Sequence, residues 1–304
     1  MKGIEIAEKF FNEYKYSLLP EGAKEWSRVA VGLVGHGSEC FGFDDDVSRD
    51  HDFESGFCVW LGEEAERDFG FSLFRAYSKL PKEYCGLKRE DKNVFGSDYR
   101  GVKTINEFYS YYIPDGKIPS SNKEWLAIPD FYLAEATNGK VFFDGDGEFT
   151  RIRKALLDRP EDVRLKKLAS ELFLAAQTGQ YNYSRTLSHG EKGAASLALN
   201  EFATHALKSV YLINRAYSPY YKWIFKGVEK LPRLSNIKEK LEKLLANPYD
   251  GNNPSIIDEI ADDIRRELVA DGLTSGDNVF LEGHAYQVTS HIKDGDLRNS
   301  PITL

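Results

Sequence analysis

Cysteine is scarce in this chain of 304 residues: Cys40, Cys58 and Cys85 are all there are. An odd number without metal-ligand spacing argues against a disulfide framework and against a cysteine metal site. No apolar run reaches membrane-spanning length. The opening residues, Met1 to Glu5, lack the apolar stretch of a signal peptide, so the expected setting is a reducing cytoplasm with no membrane partner. No internal repeat or low-complexity segment is found. Positive charge is in deficit, with 40 Lys and Arg against 48 Asp and Glu and a net charge of -8. That balance counts against a protein that wraps long nucleic acid. A local cluster of Lys and Arg can still hold the phosphates of a small nucleotide.

What is present describes an ordinary folded protein. Apolar residues make up 41% and charged residues 29%, with 19 Phe, 17 Tyr and 4 Trp. The length suits one large domain or two ordinary ones. Ile4, Ala7, Phe10, Phe11 and Tyr14 have helical spacing and predict a helix over 4–17. Residues 29–35 read as a buried strand, followed by a glycine-bearing turn. Residues 52–61 read as a second strand, and 62–79 as a helix. A short strand over 101–105 runs into 106–113, either continuing or turning helical. Residues 139–149 have strand-and-turn character around Asp144-Gly145. Beyond about residue 150 the pattern is helical, near 150–158, 161–179, 185–217, 219–230, 235–246, 254–270 and 277–293. This shift predicts an α+β chain: a mixed-sheet domain over 1–150 and a helical bundle over 151–304. Whether 120–150 belongs to the first domain or bridges the two stays open.

Chemistry concentrates between Gly35 and Phe53. Gly37-Ser38 follows the first strand, where glycine lets backbone approach a phosphate and the hydroxyl and amides can bond its oxygens. Asp50 and Asp52, two apart at the entry of the second strand, project to one face about 7 Å apart. Two carboxylates there repel unless a cation lies between them, and a hard divalent ion such as magnesium favours this oxygen set. Each part alone is an ordinary feature, a turn or a solvated acidic pair. Eleven residues separate Ser38 from Asp50, and the combination is more specific than its parts. Between them, Asp44, Asp45 and Asp46 read as a solvated loop. His51 points away from the aspartates, and Cys40 has no evident base to make it a nucleophile.

With this spacing, and with the run Ser48-Arg49-Asp50-His51-Asp52-Phe53, the chain resembles the DNA polymerase beta-like nucleotidyltransferase superfamily. The segments from Gly37 to Asp52 and from Tyr217 to Trp223 look like an uncharacterised bacterial branch of it, with a two-domain arrangement similar to that of kanamycin nucleotidyltransferase. The resemblance runs from about residue 29 to the C-terminus. It implies a small mixed-sheet nucleotidyltransferase domain before a helical one, and a cleft holding a nucleoside triphosphate with magnesium. Asp50 and Asp52 would hold the metal and Gly37 and Ser38 the triphosphate. The expected reaction transfers a nucleoside monophosphate to a hydroxyl acceptor, a small molecule in preference to long RNA, with release of pyrophosphate.

The third carboxylate of such a site has no obvious source. Glu107, at the end of the 101–105 strand, is a candidate, and an ordinary surface glutamate is the simpler reading. On the helix over 185–217, Glu201, His205 and Lys208 share a face away from the apolar stripe. Glu201 is a candidate base, with Glu191 in reserve, Lys208 a triphosphate contact and His205 structural. Tyr220 and Lys222, after Pro219, are candidate nucleotide contacts, for stacking and for phosphate. The alternative function is a nucleotide-binding regulatory or interaction module of the same fold without turnover. A hydrolase using the same carboxylates is a third.

Overall fold

The computed structural model describes residues 1–45, 54–89 and 100–304. The chain is α+β, with a small mixed sheet and many helices. In chain order the elements are α1 (Gly3–Leu18), β1 (Val29–Leu33), α2 (Ser38–Phe41), β2 (Cys58–Leu61), α3 (Glu63–Ala65), α4 (Phe71–Ser78), β3 (Glu83–Tyr84), β4 (Leu87–Lys88), β5 (Gly101–Thr104) and α5 (Ile105–Ser110). Next come α6 (Asn122–Ala127), α7 (Asp130–Thr137), β6 (Lys140–Asp144) and α8 (Glu148–Leu157). The remainder is helical: α9 (Glu161–Ala175), α10 (Ser184–Ser188), α11 (Lys192–Ile213), α12 (Tyr221–Val228), α13 (Ile237–Ala246), α14 (Asn253–Ala270), α15 (Leu281–Ser290) and α16 (Gly295–Asn299). No helix of the described residues is long and apolar enough to cross a membrane.

Two compact units divide the chain. The first holds Met1–Ser120 and Tyr132–Asp158, the second Ser121–Phe131 and Arg159–Leu304. The chain thus visits the second unit early, through α6, and leaves the first for good after α8. Residue 150, where composition changes, lies inside α8.

In the first unit the sheet runs β5-β2-β1-β6. β1 is antiparallel to both neighbours, and β2 pairs in parallel with β5. β1 is buried along its whole length, as its unbroken apolar sequence requires. α1 buries Ile6, Ala7, Phe10 and Phe11 in one cluster with Val31, Leu33 and Val59 of the strands and with Phe57 just ahead of β2. Its first turn is held from both sides: Glu5 accepts from the Lys2 amide, and Asp44 Oδ2 accepts from the Gly3 amide at 3.0 Å. Asp44 is therefore a buried anchor of α1 and not part of a solvated loop. Trp60 stacks on Phe149 with ring centroids 3.9 Å apart.

In the second unit α11 packs on α9, α9 on α15, and α14 on α11. Between α9 and α10 the helix widens to π-type turns over Ala176–Tyr183. The expected single helix over 185–217 is two, α10 and α11. Gly190, with φ 75°, adopts the left-handed turn that parts them. The expected strand over 52–61 is shorter: Glu54 to Phe57 are not strand, and β2 begins at Cys58. Residues 106–113 open as the helix α5, because Thr104 and Glu107 form a capping box that starts one.

Candidate active site

The pairing of the sheet decides which residues share an edge. Gly32 pairs with Cys58, Cys58 with Gly101, and Leu33 with Lys140. The C-terminal end of β1 and the N-terminal ends of β2, β5 and β6 therefore meet at one edge. The turn from Gly35 to Ser38 lies there. Asn138 pins it with two bonds: the Gly35 amide donates to Asn138 Oδ1 at 2.9 Å, and Asn138 Nδ2 donates to the Gly35 carbonyl at 2.8 Å. Arg153 in turn gathers the carbonyls of Thr137, Asn138 and Gly139 at 2.8, 2.9 and 3.2 Å. A loop so braced presents a fixed backbone surface.

Gly37 has φ 138°, and a Cβ there would meet the Glu39 carboxylate oxygens at 2.8 Å. Only glycine fits. Ser38 then opens α2. Among the described residues, the amides of Gly37 and Ser38 and the Ser38 hydroxyl have no hydrogen-bond partner in the protein. Three donors thus stand together at the end of a buried strand, an arrangement suited to phosphate oxygens.

Two residues at this edge escaped sequence reasoning. Glu39 and Arg100 form a buried ion pair, with Arg100 Nη2 2.7 Å from Glu39 Oε1 and the side chains 5% and 3% exposed. The guanidinium offsets the carboxylate that lies against the turn. The available signal was weak: a lone Glu behind Gly-Ser and a lone Arg ahead of a strand, 61 residues apart. Burial pushes the Cys40 thiol well above its usual range, which favours its protonated form.

Asp50 and Asp52, the candidate metal ligands, lie outside the described residues. So do His51 and Asp46. Among the described residues, no group of three His, Cys, Asp or Glu side chains is placed to hold a metal ion. Glu107, the candidate third carboxylate, is not brought to the Gly37 and Ser38 edge. Its β5 partner Thr104 pairs with Leu61, which pairs with Val29, at the opposite edge. There Glu107 Oε2 accepts from the Thr104 amide at 2.7 Å. A capping role accounts for it.

In the second unit the face of Glu201, His205 and Lys208 forms as the helical spacing requires, around a residue not foreseen, Glu171. His205 Nδ1 lies 2.6 Å from Glu171 Oε2, and His205 Nε2 lies 3.4 Å from Glu201 Oε2. Lys208 Nζ is 3.6 Å from Glu171 Oε1. Lys208 and Tyr220 both line a cavity of about 680 Å³ within this unit. Lys222 does not line it and lies over the Trp223 ring, 5.1 Å from its centroid. Glu201 is exposed outside the lining.

Residues 125–224 match the model of a family described as a domain of unknown function, DUF4037. No curated protein matches the chain. The matched segment begins in α6 and ends in α12. It contains Glu201, Lys208, Tyr220 and Lys222, and lies beyond Gly37, Ser38, Asp50 and Asp52.

Proposed function

We propose that the chain is a magnesium-dependent nucleotidyltransferase that moves a nucleoside monophosphate from a nucleoside triphosphate to a hydroxyl acceptor, a small molecule. One observation carries the reading: the amides of Gly37 and Ser38, with the Ser38 hydroxyl, which have no partner among the described residues at the end of β1. The next strand in sequence, β2, lies antiparallel beside β1 and begins at Cys58 opposite Gly32, six positions after Asp52 in the sequence. Two aspartates form the hard oxygen set that magnesium accepts. When bound, the ion supplies charge neutralisation on the phosphates.

The chain's own residues do the rest. Gly37 and Ser38 bind and orient the phosphates, and the braced turn keeps that geometry without reorganisation. The acceptor oxygen forms a bond to the α-phosphorus as the bond to pyrophosphate breaks. The acceptor's proton passes to a carboxylate base.

The displacement of Glu107 into a helix cap supports a second reading, a nucleotide-binding module without turnover. Pyrophosphate release from each triphosphate, with a pool of small hydroxyl compounds, separates the two. Release by the wild type that Asp50→Asn/Asp52→Asn abolishes supports the enzyme. Tight nucleotide binding without release from any pool supports the module.

A further inference from the structure

The wall of the cavity in the helical unit, about 680 Å³ in volume, is balanced in charge. Among the described residues four charged side chains line it, Asp130, Lys167, Glu171 and Lys208. Lys167 Nζ lies 2.6 Å from Asp130 and Lys208 Nζ 3.6 Å from Glu171, so each lysine faces a carboxylate. Arg159 and His205 also reach these two carboxylates, and neither is on the lining. An anion meets no unpaired cation on this wall, and a cation meets no unpaired carboxylate. A charged ligand would lose hydration here without a counter-charge to replace it, so the wall favours an uncharged one.

The same wall keeps a hydrogen-bonding group in reserve. Ser218 lines the cavity and is 5% exposed, and its hydroxyl has no hydrogen-bond partner among the described residues. The local sequence explains why. Thr204, inside α11, turns its hydroxyl onto the Asn200 carbonyl four residues back at 3.0 Å. Ser218 precedes Pro219, which disfavours a helical conformation, and it lies outside any helix, where no such carbonyl is at hand. A buried hydroxyl left unpaired costs free energy, and a ligand group that bonds it recovers the loss. Leu126, Ile128, Phe131, Leu207, Ile224 and Phe225 supply much of the remaining lining. An apolar wall with a few polar groups is that of a small-molecule site, and the volume is in the usual range.

We infer that this cavity binds an uncharged small molecule in which an apolar ring carries a hydroxyl group. The ligand hydroxyl pairs with Ser218, since a hydroxyl can both donate and accept, and the ring lies against the apolar wall. The assignment rests on Ser218 and on the balance of charge, and it asks nothing of Lys208 or Tyr220 as nucleotide contacts. It stands without the nucleotidyltransferase reading, because none of its groups lies in the first unit.

The test is calorimetric titration of the full chain with four probes built on one ring system: neutral 2-naphthalenemethanol, 2-ethylnaphthalene without the hydroxyl, anionic 2-naphthoate and cationic 2-naphthylmethylamine. Saturable binding of the alcohol is expected, about tenfold or more tighter than either ion. Ser218→Ala breaks no bond within the protein and is expected to fold. It should lower the affinity of the alcohol relative to the ethyl compound about fivefold, the worth of one hydrogen bond. Thr204→Trp, at an exposed position of the lining, is expected to weaken every probe by filling the cavity. Either ion binding as tightly as the alcohol, a ratio of alcohol to ethyl compound that Ser218→Ala leaves unchanged, binding indifferent to Thr204→Trp, or no binding of any probe by folded protein would overturn the inference. Asp50→Asn/Asp52→Asn is expected to bind the alcohol as the wild type does, so failure of this site and failure of the nucleotide site are read separately.

Discussion

Arg100 and Glu39 show what a single buried pair can commit a site to. With both side chains almost fully enclosed, removal of one takes a buried counter-charge at 2.7 Å from the other. Arg100→Met is expected to destabilise the protein by about 3–5 kcal/mol. Adding Glu39→Gln should recover part of that loss, because neighbours do not add. Urea denaturation of the two variants checks both statements, and a cost near zero for Arg100→Met would contradict the pair. A second residue with a definite signature is Glu161. Hydrogen bonding from Arg164 and then Arg215 overcomes the effect of burial and lowers its carboxyl from 4.5 to about 2. A depressed folded pKa means the stabilising contribution is complete above the unfolded value and is lost as pH falls through the folded one. The stability gap between wild type and Glu161→Gln should therefore shrink as pH drops from about 4.5 toward about 2. Denaturation midpoints across that window measure it, and a constant gap would contradict it.

Elements were legible in the sequence where one periodicity ruled. The apolar face of α1 and the unbroken run of β1 read directly, because each pattern has a single way to be buried. Boundaries set by one residue were less visible. Gly190 inside an apolar helical pattern looks like a tolerated glycine, and its left-handed conformation is what parts α10 from α11. Glu107 looked like a strand-end carboxylate because the strand was followed by an ambiguous stretch. The Thr104 and Glu107 box that makes α5 uses the same carboxylate for a local purpose. The widened turns over Ala176–Tyr183 have no pattern of their own, since the extra residue per turn answers to a tertiary contact. A Cβ on Gly179 would come within 2.2 Å of the Phe202 ring. Gly179→Ala is expected to cost about 1–3 kcal/mol through overpacking, despite the better helix propensity of alanine. Thermal denaturation distinguishes this from stabilisation, which would mean that the ring has room to yield.

At the scale of the whole molecule, the division into a sheet unit and a helical unit follows from composition, and the excursion of residues 121–131 into the helical unit does not. That stretch is short and carries the Asp130 that Arg159 and Lys167 converge on. A contact between residues 29 and 37 positions apart leaves no trace in local periodicity. The candidate site was legible in part for the same reason. Gly37-Ser38 is a local signal, and the structure puts it in a braced turn at a strand end. Asn138, Glu39, Arg100 and Glu171 reach their partners through the fold and were not seen. The proposed chemistry rests on two local signals, the Gly-Ser turn at the end of β1 and the Asp50 and Asp52 pair, which lies outside the described residues.

The most direct test of that account is calorimetric titration of the purified chain with each nucleoside triphosphate, with and without magnesium, for the wild type and for Asp50→Asn/Asp52→Asn. The account predicts saturable binding of at least one triphosphate that requires magnesium and that the double variant loses while keeping its fold. Binding that ignores the metal and survives the double substitution, or no binding of any triphosphate by well-folded wild type, would contradict it.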